Sequence, residues 1–363
     1  MLQAGLWPEA DKKVSVDGVV DWEEVYRLAC EQSVLGLVLA GIDCLPIEQR
    51  PPKVELLQWI GEVQILEQQN KEMNCFIGKL VDEMRREGIY TLLVKGQGVG
   101  QCYEQPLWRS SGDVDFLLSE DNYNKAKTFL TPLASNVESE RQYGRHLGMT
   151  IDNWVVELHG RLGSGLSKRI DRQIDDVQNA VFCGGDVRSW VNGKTQVFLP
   201  GADCDVLFVF THFLKHFYKE GLGIRQICDW SRLLWVFRDK IKISLLKDRL
   251  QKMGLMSEWK AFGAFAVKYL GMPLEAMPFY TSTAKWQRKA DKICSFVIKV
   301  GNFGHNRNME YFSKYPFLIR KIYSLGVRCG DLIRHATIFP LDSIRFFPYI
   351  FFNGIKAALK REG

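Results

Sequence analysis

The stretch SSGDVDFLL, residues 110–118, constrains this chain more than any other. Its apolar residues are those of a buried strand, yet Asp113 and Asp115 interrupt its start. Side chains alternate along a strand, so the two carboxylates share one face, about 6–7 Å apart. Like charges placed so closely repel unless water screens them at a sheet end or a cation sits between them. The rest of the sequence has to decide between those two environments.

A third carboxylate favours the cation. In NWVVELHGRL, residues 153–162, Glu157 stands between Val156 and Leu158, with His159 on its face. A charge amid aliphatic residues needs a partner. If this strand lies beside GDVDFLL, Glu157 completes a cluster with Asp113 and Asp115. Hard cations such as Mg²⁺ take oxygen ligands, and such a cluster suits two of them and in-line displacement at phosphorus. The competing reading is a solvated strand end with Glu157 paired to an arginine. KGQG upstream and VELH downstream favour the metal.

The surroundings set the architecture. Leu56, Ile60, Val63, Leu66, Met73, Ile77, Leu80 and Met84 recur at intervals of three and four with a gap around Asn70, which predicts a helix from Pro52 to Glu87 ended by Gly88. An earlier helix starts at Asp21, with Glu24 three residues on. Residues 89–96 (IYTLLVKG) read as a strand, and SEDNYNKAKTFLTPL as a helix capped by Ser119. RHLGMTI and NWVVELHGRL read as strands joined at Asp152-Asn153, and SWVNGKTQVFL as a hairpin with Asn192-Gly193 at its tip. Helices return after residue 201. The fold class is therefore α+β: a helical segment over 1–88, a mixed α/β core over 89–200 and a helical domain over 201–363.

The residues LLVKGQGVGQCYEQPLWRSSGDVDFLL followed by VVELHGRL resemble the nucleotidyltransferase superfamily related to DNA polymerase β. The nearer likeness is to a bacterial subgroup of uncharacterised nucleotidyltransferases, and it covers roughly residues 20–240. It implies a polymerase β-like core in which Asp113, Asp115 and Glu157 hold two Mg²⁺ ions, with Glu157 helping to deprotonate the acceptor. It also implies that Gly96 and Gln97, with Lys95, contact the nucleoside triphosphate; Arg109, Ser111 and Arg225 are further candidates for that contact, and His159 either contacts the acceptor or a phosphate or orients Glu157 by a hydrogen bond. Gln97 departs from the small residue usual there, and the loop from Gly96 to Asp113 is longer than usual. Arg109, in that loop, is expected to reach a phosphate or a cluster carboxylate.

Other signals are weaker. His212 and His216 are one helical turn apart but lack the glutamate and third ligand of a zinc site; Lys215 or His216 is the better candidate to line the cleft. Arg225 and Asp229, at i and i+4, suit an intrahelical ion pair; the alternative is that this helix closes over the nucleotide with Arg225 aimed at base or phosphate.

The net charge of +6 comes from residues 313–363, where nine Lys/Arg face three Asp/Glu. That aromatic, basic tail either packs on the core or touches an anionic membrane or an acidic partner. No secretory leader or membrane span is expected. Nine scattered cysteines read as reduced, mostly buried thiols of a cytoplasmic protein. The expected activity is Mg²⁺-dependent transfer of a nucleotidyl group, AMP from ATP, to a hydroxyl acceptor. The rivals are a non-catalytic binding or interaction module and a toxin–antitoxin component that modifies a partner protein.

Overall fold

The computed structural model describes residues 1–7, 14–140, 145–302 and 317–359. Three helices, α1 (Leu2–Leu6), α2 (Trp22–Glu31) and α3 (Leu35–Ile42), precede the long helix α4 (Lys53–Arg86). Asp21 caps α2 by accepting from the Glu24 amide at 3.0 Å. Helix α4 stops as the sequence predicts. Gly88 takes φ +67°, its amide donates to Arg85, and the Ile89 amide donates to Met84, the paired closure of a Schellman motif.

The core that follows contains β1 (Leu92–Val94), the short helix α5 (Gly96–Gly100), β2 (Asp113–Leu117), α6 (Glu120–Leu130), β3 (Asn136–Val137), β4 (His146–Ile151) and β5 (Trp154–His159). The strands form one mixed sheet in the order β1-β2-β5-β4-β3. Among the described strands only β2 and β5 run parallel, and their register places Asp115 beside Glu157. Asp152 and Asn153 make the β4–β5 turn, both at positive φ.

Alternation gives this sheet two unlike faces. Leu93, Val114, Phe116, Leu147, Met149, Val156 and Leu158 form a core with Phe76, Ile77, Leu80 and Met84 of α4 and with Tyr123 and Leu130 of α6. Each such side chain contributes about 1.5–3 kcal/mol by leaving water. The opposite face carries Leu92, Val94 and Leu117, which join a second core. It also carries Asp113, Asp115, Glu157, His159 and His146. The apolar face thus anchors the strands, and the other face is left for chemistry.

Helix α7 (Lys168–Phe182) and the hairpin β6 (Val187–Asn192) and β7 (Thr195–Pro200) lead into α8 (Ala202–Lys219), α9 (Ile224–Val236), α10 (Ile243–Met253), α11 (Met256–Leu270), α12 (Ala284–Val300), α13 (Phe317–Ile338) and α14 (Pro340–Leu359). Phe210, Phe213, Trp230, Trp259 and Phe262 interlock edge to face in their centre. The same core takes in Leu6, Trp7 and Trp59 from the N-terminal helices.

Several sequence expectations need correction. Helix α7 was not anticipated, although Ile170, Ile174 and Val177 recur at helical spacing and Ser167 caps it. Asn192 is the last ladder residue of the hairpin, so its loop is Gly193-Lys194, one residue later than read. Ser119 occupies the N-cap of α6 without a capping bond; its hydroxyl accepts from Asn122 instead. All nine cysteines are free, but only Cys102, Cys204 and Cys228 are buried.

In the tail, Phe339 and Phe346 pack into the core, whereas Ile344 and Phe352 are exposed. Its basic residues Lys314, Lys360 and Arg361 lie outside the described residues. No helix among the described residues is long and apolar enough to cross a membrane.

Candidate active site

The parallel pairing of β2 and β5 brings the three predicted carboxylates together. Oxygens of Asp113, Asp115 and Glu157 all lie within 4.8 Å of one another. Asp115 is 1% exposed, and its Oδ2 is buried with no hydrogen-bond partner. The proximity of the Asp115 charge, and then burial, push the Asp113 carboxyl above its ordinary pKa. This is the expected response of crowded like charges.

Basic side chains surround the cluster. Lys95 Nζ lies 2.6 Å from Oδ1 of Asp115, and His159 Nε2 lies 2.7 Å from the same oxygen. Glu157 Oε2 is 3.0 Å from His146 Nε2 and 3.3 Å from His159 Nε2. Burial alone would lower the Lys95 ammonium, but the charges of Asp115, Asp113 and Glu157 outweigh it and raise its pKa. His159 behaves likewise: burial lowers it, but hydrogen bonds to Asp115 and Glu157 outweigh burial and raise its pKa. Burial opposes ionisation of Glu157, yet the bonds from His146 and His159 hold it well below the usual carboxylate range. Lys95 reaches this position from a strained backbone, φ +57° and ψ −145°, a region close to one that only glycine adopts freely.

A family model described as an uncharacterised nucleotidyltransferase matches residues 18–271, well over half of the chain. The chain belongs to this family. No curated protein matches it, and neither does any solved structure.

The other candidate residues of this nucleotidyltransferase are not all disposed as the sequence suggested. Arg109 reaches neither a cluster carboxylate nor open space. It is 4% exposed and makes two bonds to Asp229, of 3.0 and 2.7 Å, and one of 2.6 Å to the Ser111 hydroxyl. Tyr103 donates to the same Asp229 at 2.8 Å. Burial opposes the Asp229 charge, but Arg109 overcomes it and lowers the pKa. The intrahelical Arg225–Asp229 pair is therefore replaced by a pair between the loop and α9, because the loop delivers a guanidinium that fits both carboxylate oxygens. Arg225 instead donates to the Ser110 carbonyl at 2.9 Å, and its Nε is buried without a partner.

Gln97 turns away from the cluster. Its amide nitrogen donates to Asn70 Oδ1 at 2.6 Å, and Asn70 in turn donates to the carbonyls of Leu107 and Arg109. The polar gap in the α4 stripe is thus the anchor of the site loop. Gly96, at φ +38°, packs so closely on β2 that an added Cβ would lie 3.3 Å from the Asp113 carbonyl oxygen.

On α8, His212 lies close enough to Lys95 to feel its charge. Burial, and then the charges of Lys95 and His216, depress its pKa well below the usual value. His216 stands behind it, with the two Nε2 atoms 3.0 Å apart. Sequence reasoning missed His146 entirely. Its only signal was its place on a strand next to VVELH, and strand order is not readable from that.

Proposed function

We propose that the protein transfers a nucleoside monophosphate, AMP from ATP, to a hydroxyl group with release of pyrophosphate, and that Mg²⁺ bound by Asp113, Asp115 and Glu157 is required. One observation carries the reading: three carboxylates converge within 4.8 Å while Oδ2 of the buried Asp115 has no proton donor. A buried oxygen left unpaired costs about 1–3 kcal/mol, more when charged, and a cation removes that cost. An oxygen-only donor set suits Mg²⁺. The bound ions would neutralise the triphosphate and favour ionisation of the acceptor hydroxyl.

The chain's own residues do the remaining work. Lys95 supplies positive charge beside Asp115 for the phosphate that arrives there. Gly96 and Gln97 offer backbone amides at the start of α5, since the Gln97 side chain is engaged with Asn70. Arg225 has an uncommitted Nε beside the cluster and is the candidate for phosphate contact. Arg109 and Ser111 position the loop that carries them. His159 orients Asp115 and Glu157. Phosphoryl-type transfer asks for alignment and charge stabilisation more than covalent help, and this arrangement supplies both.

Calorimetry with ATP, GTP, CTP and UTP, with and without Mg²⁺, tests the reading against the Asp113→Ala/Asp115→Ala double variant. Mg²⁺-dependent binding of a triphosphate, abolished in the variant, supports it and names the base. Absence of binding with every nucleotide sinks it. Transfer of α-phosphate label from the bound triphosphate to lysate fractions then separates a small-molecule acceptor from a protein.

A further inference from the structure

We propose that His146, Glu157 and His159 form a separate cation site of mixed nitrogen and oxygen character, which takes a borderline divalent cation of the Zn²⁺ or Co²⁺ kind in preference to Mg²⁺. The inference rests on the reading of Glu157 as a metal ligand and adds to it a site that the three-carboxylate cluster does not contain.

The geometry is that of a preformed donor set. Both imidazoles turn Nε2 toward the same oxygen of Glu157, at 3.0 and 3.3 Å. Their rings are 4.8 Å apart between centroids, and the three donor atoms all lie within 4.8 Å of one another. Ligands bound at about 2.1 Å are separated by about 3.0 Å at a right angle and about 3.4 Å at a tetrahedral one. The two observed separations fall in that range. His159 Nε2 also lies 2.7 Å from Asp115 Oδ1, so a cation held by the two rings and Glu157 would take the place of the proton that His159 shares between the two carboxylates.

The residue across the ladder supports the same conclusion. Gly148 is the partner of Glu157 on β4. A Cβ at Gly148 would come within 2.8 Å of the Glu138 carboxylate. Glycine thus admits a further acidic group to the position beside Glu157, on a face that already holds Asp113 and Asp115. Four carboxylates on one face, Glu138 among them, make that face favourable for a bound cation. Imidazole donors favour borderline metals over Mg²⁺, which prefers oxygen. Glu157 belongs to both groups, so this cation borders the transfer site.

The test uses metal-stripped full-length protein without nucleotide. Co²⁺ and Mg²⁺ are titrated separately, and proton NMR of the Co²⁺ form is inspected for hyperfine-shifted imidazole ring protons. The expected result is Co²⁺ affinity at least about 100-fold above that for Mg²⁺, with shifted protons from two histidines. His146→Ala should weaken Co²⁺ at least about ten-fold and remove one set of shifted signals, while Asp113→Ala retains both sets. Absence of shifted histidine protons in the wild-type protein overturns the proposal without depending on any variant. Loss of Co²⁺ binding in Asp113→Ala also overturns it, because the ion then sits on the oxygen cluster. A failure of nucleotidyl transfer would leave the nitrogen signature unchanged, so the two readings fail separately.

Discussion

Asp115 on β2 and Glu157 on β5 are register partners in a parallel strand pair of the sheet. Neighbouring strands lie about 4.8 Å apart, so this register alone brings the third carboxylate to the first two. Slipping β5 by one residue would send Glu157 into the apolar core beneath α4. Burial of Val156 and Leu158 on that side forbids the slip.

Asp115→Asn keeps the shape of this side chain and removes its charge. Pyrophosphate release should fall by at least about 100-fold, the scale of losing a central electrostatic group. Unchanged circular dichroism would show that the fold survives. Wild-type turnover in this variant would contradict the assigned role of Asp115.

The bond pair between Arg109 and Asp229 is a stability device as much as a site feature. Both side chains are almost fully buried. Asp229→Asn leaves a buried guanidinium without its counter-charge and should cost about 3–5 kcal/mol in urea denaturation. A loss under about 1 kcal/mol would mean that the loop over residues 101–112 is held mainly by Asn70.

Glu258 in α11 sets a pH dependence of its own. It is 0% exposed, and burial, followed by the Asp342 charge, pushes its pKa up to about 8. Tyr218 donates to it at 3.2 Å, and Lys289 is the nearby cation. Between the unfolded value near 4.3 and about 8, the folded state holds a proton that the unfolded state has released. Stability should therefore fall as pH rises across that window and level off above it. Glu258→Gln should melt several degrees higher than wild type at pH 8.5, with the gap closing toward pH 5. Parallel melting curves for the two proteins across pH would refute this.

The strained backbone at Lys95 can be measured by comparing two substitutions that both remove the ammonium. At φ +57° and ψ −145°, alanine is strained and glycine is not. Lys95→Gly should be more stable than Lys95→Ala by about 1 kcal/mol, even though glycine loses more entropy on folding. Equal stabilities would mean that the backbone relaxes once the lysine is gone.

How much of this could be read beforehand differs from residue to residue. The paired aspartates, the glutamate amid aliphatics and the length of α4 were all visible, because strand and helix periods are local properties. The family likeness pointed to Lys95, Gly96 and His159, and the structure brings Lys95 and His159 onto Asp115. Asn70 was visible only as a gap in a stripe; its meaning came from the Gln97 amide it accepts and the loop carbonyls it binds. Helix α7 was legible but overlooked.

Local pattern along the chain was enough to place two carboxylates on one strand face and a third on a later strand of an α+β fold. Tertiary structure decided which cations meet them, which arginine takes Asp229 and where His146 falls. The reason is physical. Period and burial are written along the chain, but the choice among several arginines or histidines for one carboxylate depends on which fits its oxygens after distant segments pack. The Arg109–Asp229 pair, 120 residues apart, displaced the pair four residues apart because the Arg109 guanidinium meets both oxygens of the buried carboxylate, a fit that proximity in sequence does not supply.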